Sequence, residues 1–222
     1  MQTIKKKLKN IPLIYFIYNM RNGLWKKGLL VKYEKCNVWL KHISVKNKGN
    51  NNSLLIGEGT TLKNCTMHIS GNNNKIYIGS KCSLCGVNFY VEDDYNEIYV
   101  GNGTTTTDEV DLCAIEGTKL QIGNDCMISS KIYISTGDGH SICNKVDGRR
   151  TNKSKDIKIG DRVWIGTRII IGKGVELGND TIIAAGSVCT SSLEKNDNVV
   201  IAGNPAKIVK SEVKWKRERV DS

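Results

Sequence analysis

Gly57, Gly79, Gly101 and Gly123 stand 22 residues apart, each directly behind an Ile or a Val. After a gap of 37 residues an Ile-Gly or Leu-Gly pair returns every six, at Gly160, Gly166, Gly172 and Gly178. A chain that repeats at a fixed interval stacks one coil on another. The segments NNNSLLIG (50–57), NNNKIYIG (72–79), DYNEIYVG (94–101), EGTKLQIG (116–123) and KSKDIKIG (153–160) share two apolar positions separated by one residue. That alternation puts both side chains on one face of a strand. The glycine that follows marks a corner, where the backbone takes positive φ or has no room for a Cβ. The asparagines ahead of the strands suit turns, because they tolerate the left-handed conformation and bond their own backbone. The expectation is an all-β solenoid of short parallel strands.

The 222 residues suit one domain, and 33 Lys+Arg against 22 Asp+Glu leave a net charge of +11. Such a field draws polyanions: an acidic membrane surface, an anionic polysaccharide or a phosphorylated cofactor. The basic residues gather in KKKLK (5–9), RNGLWKKGLLVK (21–32) and KIVKSEVKWKRER (207–219). No interleaved aromatic signature of RNA binding accompanies them, so nucleic acid is not an expected partner. The eight cysteines show no paired framework. The stretch IPLIYFIY (11–18) lacks a small-residue cleavage site and falls short of the ~20 apolar residues needed to span a bilayer. The cysteines then read as reduced thiols of a cytoplasmic protein, packed as small hydrophobes inside the coil. The single pair Cys82-x-x-Cys85 has no second pair and no neighbouring His, and no metal site is expected.

Residues 1–47 do not carry the repeat and read as a cap, with short amphipathic helices between Ile4 and Leu30. The same lysines and aromatics also fit a membrane-surface arm. Coils are expected over 48–204, followed by a basic tail over 205–222 with a short helix or strand after Pro205. The gap between Gly123 and Gly160 exceeds one 22-residue step by 15, and the surplus falls in the polar segment DGHSICNKVDGRRTNKSK (138–155). A long insertion in a regular solenoid is where function is placed.

The tail of the repeat reads VWIGTRIIIGKGVELGNDTIIAAGSVCTSSLEKNDNVVIAGNPAKIVK (163–210). Its VWIG, AAGSV and GNPAKIVK elements resemble the hexapeptide-repeat acyltransferases, left-handed parallel β-helix enzymes that use acetyl-CoA. With the insertion DGHSI…DGRRTNKSKDIKIGDRVWIG (138–166), the likeness narrows to the O-acetyltransferases of capsules, O-antigens and sialic acid polymers. The resemblance covers roughly residues 50–217 and is specific in the C-terminal half. It implies a homotrimer with sites between neighbouring coils, and a saccharide acceptor.

His140 is the candidate general base, since an imidazole with a pKa of about 6.5 suits proton removal from a hydroxyl near neutrality. Read alone it is a surface histidine in a polar loop. Its place in the insertion and its position 24 residues before Trp164 match the family's catalytic His and Trp. Trp164 reads either as a buried strand residue or as an outward wall of the acceptor pocket. The resemblance implies that it lies beside His140 and positions substrate or thioester. A backbone N–H near Gly166 or the indole N–H is the candidate oxyanion donor. Asp138 either orients the imidazole or caps the turn.

On the cofactor side the resemblance points to Gly166, Thr167, Ala184, Ala185, Thr190 and Ser191 along the pantetheine groove. Lys207 and Lys210 would lie near the CoA phosphates. Arg149, Arg150 and Lys153 are either solvated or poised for an acidic acceptor, which Arg holds bidentately. The leading expectation is acetyl-CoA-dependent O-acetylation of a bacterial cell-surface saccharide, neutral or anionic, in the cytoplasm or at the inner face of the membrane. N-acetylation of an amino sugar is the nearest alternative, and a non-catalytic polyanion-binding solenoid a more distant one.

Overall fold

The computed structural model describes residues 28–34, 37–191 and 193–220. Every regular element among them is a strand, and none is a helix. The amphipathic helices expected upstream of Leu30 lie almost wholly outside these residues.

Three sheets of seven, nine and seven strands form the walls of a prism. We name them A, B and C in the order that the chain visits them. One coil lays Lys75–Ile78 in A, Ser83–Cys85 in B and Val87–Glu92 in C, then returns to A at Glu97–Val100. Successive coils pair in parallel register, so equivalent side chains stack in columns. Leu54, Ile76, Ile98, Leu120 and Ile157 make one inward column of sheet A. Ile56, Ile78, Val100, Ile122, Ile159 and Leu177 make the next, and all are buried. Each such burial contributes on the order of 1.5–3 kcal/mol. The strand alternation seen in the sequence is therefore the core itself.

The repeated glycines have one of the two reasons considered for them. Gly57, Gly79, Gly101 and Gly123 do not take positive φ. A Cβ at Gly123 would meet the Gly160 carbonyl oxygen at 2.4 Å, and one at Gly101 the Gly123 carbonyl carbon at 2.5 Å. Close stacking of coils is what excludes a side chain. The left-handed residue comes two positions after the glycine and is Gly59, Lys81, Gly103, Asp125, Arg162 or Asp180.

The asparagines meet the expectation and add to it. Asn51 and Asn73 take the left-handed conformation, with φ of 54° and 57°, and Asn96 Nδ2 donates within its own turn to the Glu92 carbonyl oxygen at 2.7 Å. The buried ones also bond the next coil. Asn52 Oδ1 accepts from the Asn74 N–H at 2.8 Å, Asn74 Oδ1 from the Asn96 N–H at 2.8 Å, and Asn96 Oδ1 from the Thr118 N–H at 3.0 Å. These buried side chains satisfy backbone donors at a corner where the ladder is interrupted.

The corners explain the two repeat lengths. In the later coils each wall takes six residues, and Lys158, Trp164, Ile170, Glu176, Ile182 and Val188 hold successive equivalent places. In the earlier coils Tyr77 to Ser83 takes six and Ser83 to Asn88 five, but Asn88 to Tyr99 takes eleven. The surplus sits at the corner from C to A. The long insertion occupies the same corner, between Tyr133 on C and Lys158 on A.

Both ends differ from the expected boundaries. Leu29–Tyr33, Trp39–Lys41 and Ser44–Asn47 form a full coil under the next one, pairing with Asn52–Ile56, Thr61–Lys63 and Thr66–Ser70. The stacked strands thus begin by residue 29 rather than at 48. Val31, Leu40 and Val45 keep the inward apolar pattern there without the Ile-Gly pair. At the other end, Ala206–Lys210 turns back antiparallel on Val200–Gly203 and closes sheet B. The segment from 211 then returns along the prism instead of trailing away, as its hydrogen bonds below establish.

Candidate active site

The insertion is held to the corner from C to A by polar bonds. Asn152, buried, is its hub. Its Nδ2 donates to the His140 carbonyl oxygen at 2.7 Å and to Asp138 Oδ2 at 2.8 Å, while its Oδ1 accepts from the Ile142 N–H at 2.7 Å. Lys173, one coil on, pairs with Asp138 and donates to the Asn152 carbonyl oxygen at 3.0 Å. Arg150 Nη1 meets Glu116 Oε1 at 2.5 Å, tying the loop to the preceding coil. The hydrogen bond from Lys173, and then that from Asn152, hold the Asp138 carboxyl below the usual carboxylate range. The result is a pinned backbone that presents an exposed imidazole at residue 140.

These bonds revise two expectations. Asp138 is committed to Lys173 and Asn152, and no hydrogen bond joins it to His140 among the described residues. It holds the loop rather than the ring. Arg150 is engaged with Glu116 and Asn152, so of the three cations it is structural. Arg149 lies exposed beside Asp147, and Lys153 is exposed.

Trp164 points outward from sheet B, 38% exposed, in a column with Thr105, Met127 and Ile182. The corner that carries His140 is the one opposite that wall. A single protomer therefore holds His140 and Trp164 on different sides of the prism, and the expected neighbourhood of the two is not formed within one chain. The outward choice for Trp164 itself stands, because inward places in sheet B belong to Ile128, Ile165 and Ile183.

The groove residues fall at two corners. Gly166, Thr167, Ala184 and Ala185 lie between sheets B and C, whereas Thr190 and Ser191 lie between C and A. Thr167 Oγ1 donates to the Ser130 carbonyl oxygen at 2.9 Å, which fixes its corner to the coil before. The Gly166 N–H is spent on the Ile183 carbonyl at 2.9 Å. That amide is no oxyanion donor, and the Trp164 indole N–H carries no hydrogen bond among the described residues. Small residues keep the corner between B and C low: Ala185 and Gly186 are exposed, and Gly186 has nothing within 4 Å of an added Cβ. Lys207 and Lys210 are exposed on the closing strand, and Lys207 lines a hollow of 310 Å³ with Leu193, Glu194 and Pro205.

Five of the described cysteines pack inside the coil as expected, whereas Cys85 is half-buried and Cys143, in the insertion, is exposed. Burial pushes the Cys113 and Cys126 thiols up to about 12, and those of Cys65 and Cys189 to about 11. Cys82 is buried and its thiol donates to the Gly101 carbonyl oxygen at 3.1 Å.

Sequence reasoning missed Asn152, Lys173 and Trp215. The first two lie in polar or Gly-rich stretches with no pattern to mark them. Trp215 carried a signal, because Val213 and Trp215 alternate with Lys214 and Lys216 as in a strand. Its indole N–H donates to the Arg162 carbonyl oxygen at 2.6 Å, and its ring lies 6.2 Å from that of Trp164.

A prism of stacked parallel coils, with a six-residue period in its later turns and a corner-borne loop, is the fold of the left-handed parallel β-helix. Residues 156–191 match the family described as bacterial transferase hexapeptide (six repeats). Over 111 residues the chain is 36% identical to a protein of Escherichia coli (strain K12) named provisionally as a lipopolysaccharide biosynthesis O-acetyl transferase, covering 46% of this chain and 55% of the relative. Over 96 residues it is 34% identical to a polysialic acid O-acetyltransferase of Escherichia coli O1:K1, covering 43% and 31%. The chain thus spans about half the length, or less, of these curated relatives. A solved polysialic acid O-acetyltransferase superposes with a TM-score of 0.79 at 27% identity, over 89% of this chain and 94% of that one.

Proposed function

We propose that this protein transfers acetyl from acetyl-CoA to a hydroxyl of a bacterial cell-surface saccharide, of the capsule, O-antigen or sialic-acid-polymer kind. The observation that carries the proposal is the agreement of fold with a polysialic acid O-acetyltransferase along nearly the whole chain. His140 acts as the general base. Its backbone is pinned by Asn152 while its ring stays exposed, as a base that must reach an incoming hydroxyl requires. The proton passes from the acceptor oxygen to the imidazole as that oxygen attacks the thioester carbonyl. Collapse of the tetrahedral intermediate expels CoA thiolate, which takes the proton back. The free indole N–H of Trp164 is suited to the oxyanion or the thioester, and a backbone N–H near Gly166 is the alternative, other than the Gly166 amide, which is already used.

The low corner at Gly166, Thr167, Ala184 and Ala185 accommodates the pantetheine arm, and Lys207 and Lys210 offer cations to the CoA phosphates. The working unit is a trimer. Two features support that reading: His140 and Trp164 occupy opposite sides of one prism, and sheet C exposes Tyr133 and Ile170, each 46% accessible, for self-association. Among the described residues no helix is long and apolar enough to cross a membrane. The reaction is placed in the cytoplasm or at the inner membrane face, where acetyl-CoA and saccharide precursors are made available.

Incubation with acetyl-CoA and candidate glycans, followed by mass spectrometry, tests the proposal. A gain of one acetyl group that mild base removes identifies O-acetylation. A base-stable acetyl group on an amino sugar would instead establish the N-acetyl alternative. Release of CoA without any acetylated product would sink both.

A further inference from the structure

The segment 211–217 runs across the corner between sheets A and B, against the direction of the coils. Its partners include the carbonyl groups of three residues in the left-handed conformation. The Val213 N–H donates to the Asn198 oxygen at 3.0 Å, and Trp215 Nε1 donates to the Arg162 oxygen at 2.6 Å. Arg217 donates to the Asp125 oxygen at 3.2 Å and the Cys126 oxygen at 3.1 Å, and to Thr105 Oγ1 at 2.9 Å. Asn198, Arg162 and Asp125 have φ of 58°, 51° and 53°. The Cys126 oxygen also accepts from the Thr105 N–H at 2.9 Å, so there the strap adds a second bond to a carbonyl of the ladder.

Where the strap passes sheet B, the two indoles meet at 6.2 Å and an interplanar angle of 47°. The Arg217 guanidinium lies over the Trp215 ring, 5.8 Å from its centroid. The two tryptophans are chemically unequal. Trp215 has given its only donor to Arg162, while Trp164 keeps its own. An indole presents a single N–H, so only Trp164 can offer one to a ligand.

We infer that Trp215 is a positioning residue for acetyl transfer: held by Arg162 and Arg217, it fixes the Trp164 indole on the outer face of sheet B with its N–H directed to the reacting thioester. This rests on the acetyltransferase reading above and adds to it a residue that the repeat does not contain. Without the strap, a 38% exposed indole on a flat sheet turns among rotamers, and its N–H is aligned for only part of the time. The consequence falls on turnover rather than on capture of acetyl-CoA, because a donor aimed at developing charge strengthens most in the transition state.

The test compares the full chain with Trp215→Ala, Trp215→Phe and Arg217→Gln, using acetyl-CoA as donor and polysialic acid as acceptor. Trp215→Ala and Arg217→Gln should each lower kcat by about 5- to 50-fold while the KM for acetyl-CoA changes less than about 3-fold. Trp215→Phe, which keeps the packing but loses the bond to Arg162, should fall between parent and Trp215→Ala. Acrylamide quenching supplies a readout that a purely structural role would not tie to kcat. The Trp164 contribution, taken as the difference between each protein and its Trp164→Phe counterpart, should become more quenchable in step with the loss of kcat. Arg217→Gln removes surface hydrogen bonds and the guanidinium contact with the Trp215 ring, so it answers the question if Trp215→Ala does not fold. Parental kcat in a folded Arg217→Gln or Trp215→Phe protein whose Trp164 has become more quenchable would overturn the inference alone. A parent chain that transfers no acetyl group would overturn the acetyltransferase reading, and the inference with it.

Discussion

The early and late coils solve the same stacking problem by different means. The coils from Asn52 to Ile122 spend eleven or ten residues on the return from sheet C to sheet A and line that corner with buried Asn52, Asn74 and Asn96. Those from Ile157 to Cys189 spend six on every wall and leave nothing at the corner to bury. Between them lies the insertion. The corner that is elaborated for stability in the first half is the one elaborated for chemistry in the middle. A solenoid tolerates this because extra residues at a corner project outward without disturbing the column of inward side chains.

If the division is right, damage in the middle should abolish activity while leaving the fold. His140→Ala should lower turnover by on the order of 10²–10⁴ and leave acetyl-CoA binding intact, measured by steady-state kinetics beside calorimetric titration. A variant that kept parental kcat would remove His140 as the base. Damage in the early coils should do the reverse. Asn74→Ala strips a buried side chain that accepts from the Asn96 amide and donates to the Asp93 carbonyl. Thermal or denaturant unfolding should register a loss of about 2–4 kcal/mol. Asn124, half-buried at the corner between sheets A and B, accepts from the Asn102 N–H at 2.9 Å. Asn124→Ala acts where water can replace the lost partner and should cost about 1 kcal/mol. Equal losses at the two sites would break the contrast between a buried and a solvated corner.

Smaller effects sharpen it at the late end. Lys207→Ala with Lys210→Ala should raise the KM for acetyl-CoA about 5- to 30-fold, an effect that added salt diminishes by screening exposed phosphate contacts. Unchanged CoA binding at low ionic strength would return these lysines to the general basic surface. The smallest expected effect is that of pH on the insertion. The folded-state pKa of Asp138 is lowered, so its tie to Lys173 is complete above the ordinary carboxylate value of 3.8 and is lost as pH falls through the folded value. Asp138 is 42% exposed, and solvent screening holds the stabilisation to less than about 1 kcal/mol. The protection of amides over 138–155, with exchange rates corrected for their intrinsic pH dependence, should be unchanged between pH 7 and 5 and should fall only in acid below the ordinary carboxylate value of 3.8; loss of protection already at pH 6 would point to a different group.

Much of this was legible because a solenoid writes its tertiary structure into its local sequence. Every inward position of sheet A is an apolar residue two places from another, and every coil that carries the Ile-Gly pair announces its own corner. The coil over residues 29–47 escaped notice for want of that pair, although Val31, Leu40 and Val45 hold the inward places. The glycine positions were legible and their cause was not, since a missing Cβ and a positive φ leave the same letter in the chain. Asp138 misled by its nearness to His140 in sequence: the loop geometry gives it to Lys173, which lies 35 residues away.

What the sequence by itself determined is the repeat, the alternation that builds the core and the position of the insertion. These follow from neighbours a few residues apart and from the identity of each coil with the next. The tertiary structure alone decided which corner the insertion occupies, that His140 and Trp164 stand on opposite sides of a protomer, and that Trp215 returns to pack beside Trp164. The pairing of Trp215 with Arg162 joins residues 53 apart through carbonyls turned outward at left-handed corners. No local pattern encodes where such a carbonyl will face until the coils have stacked.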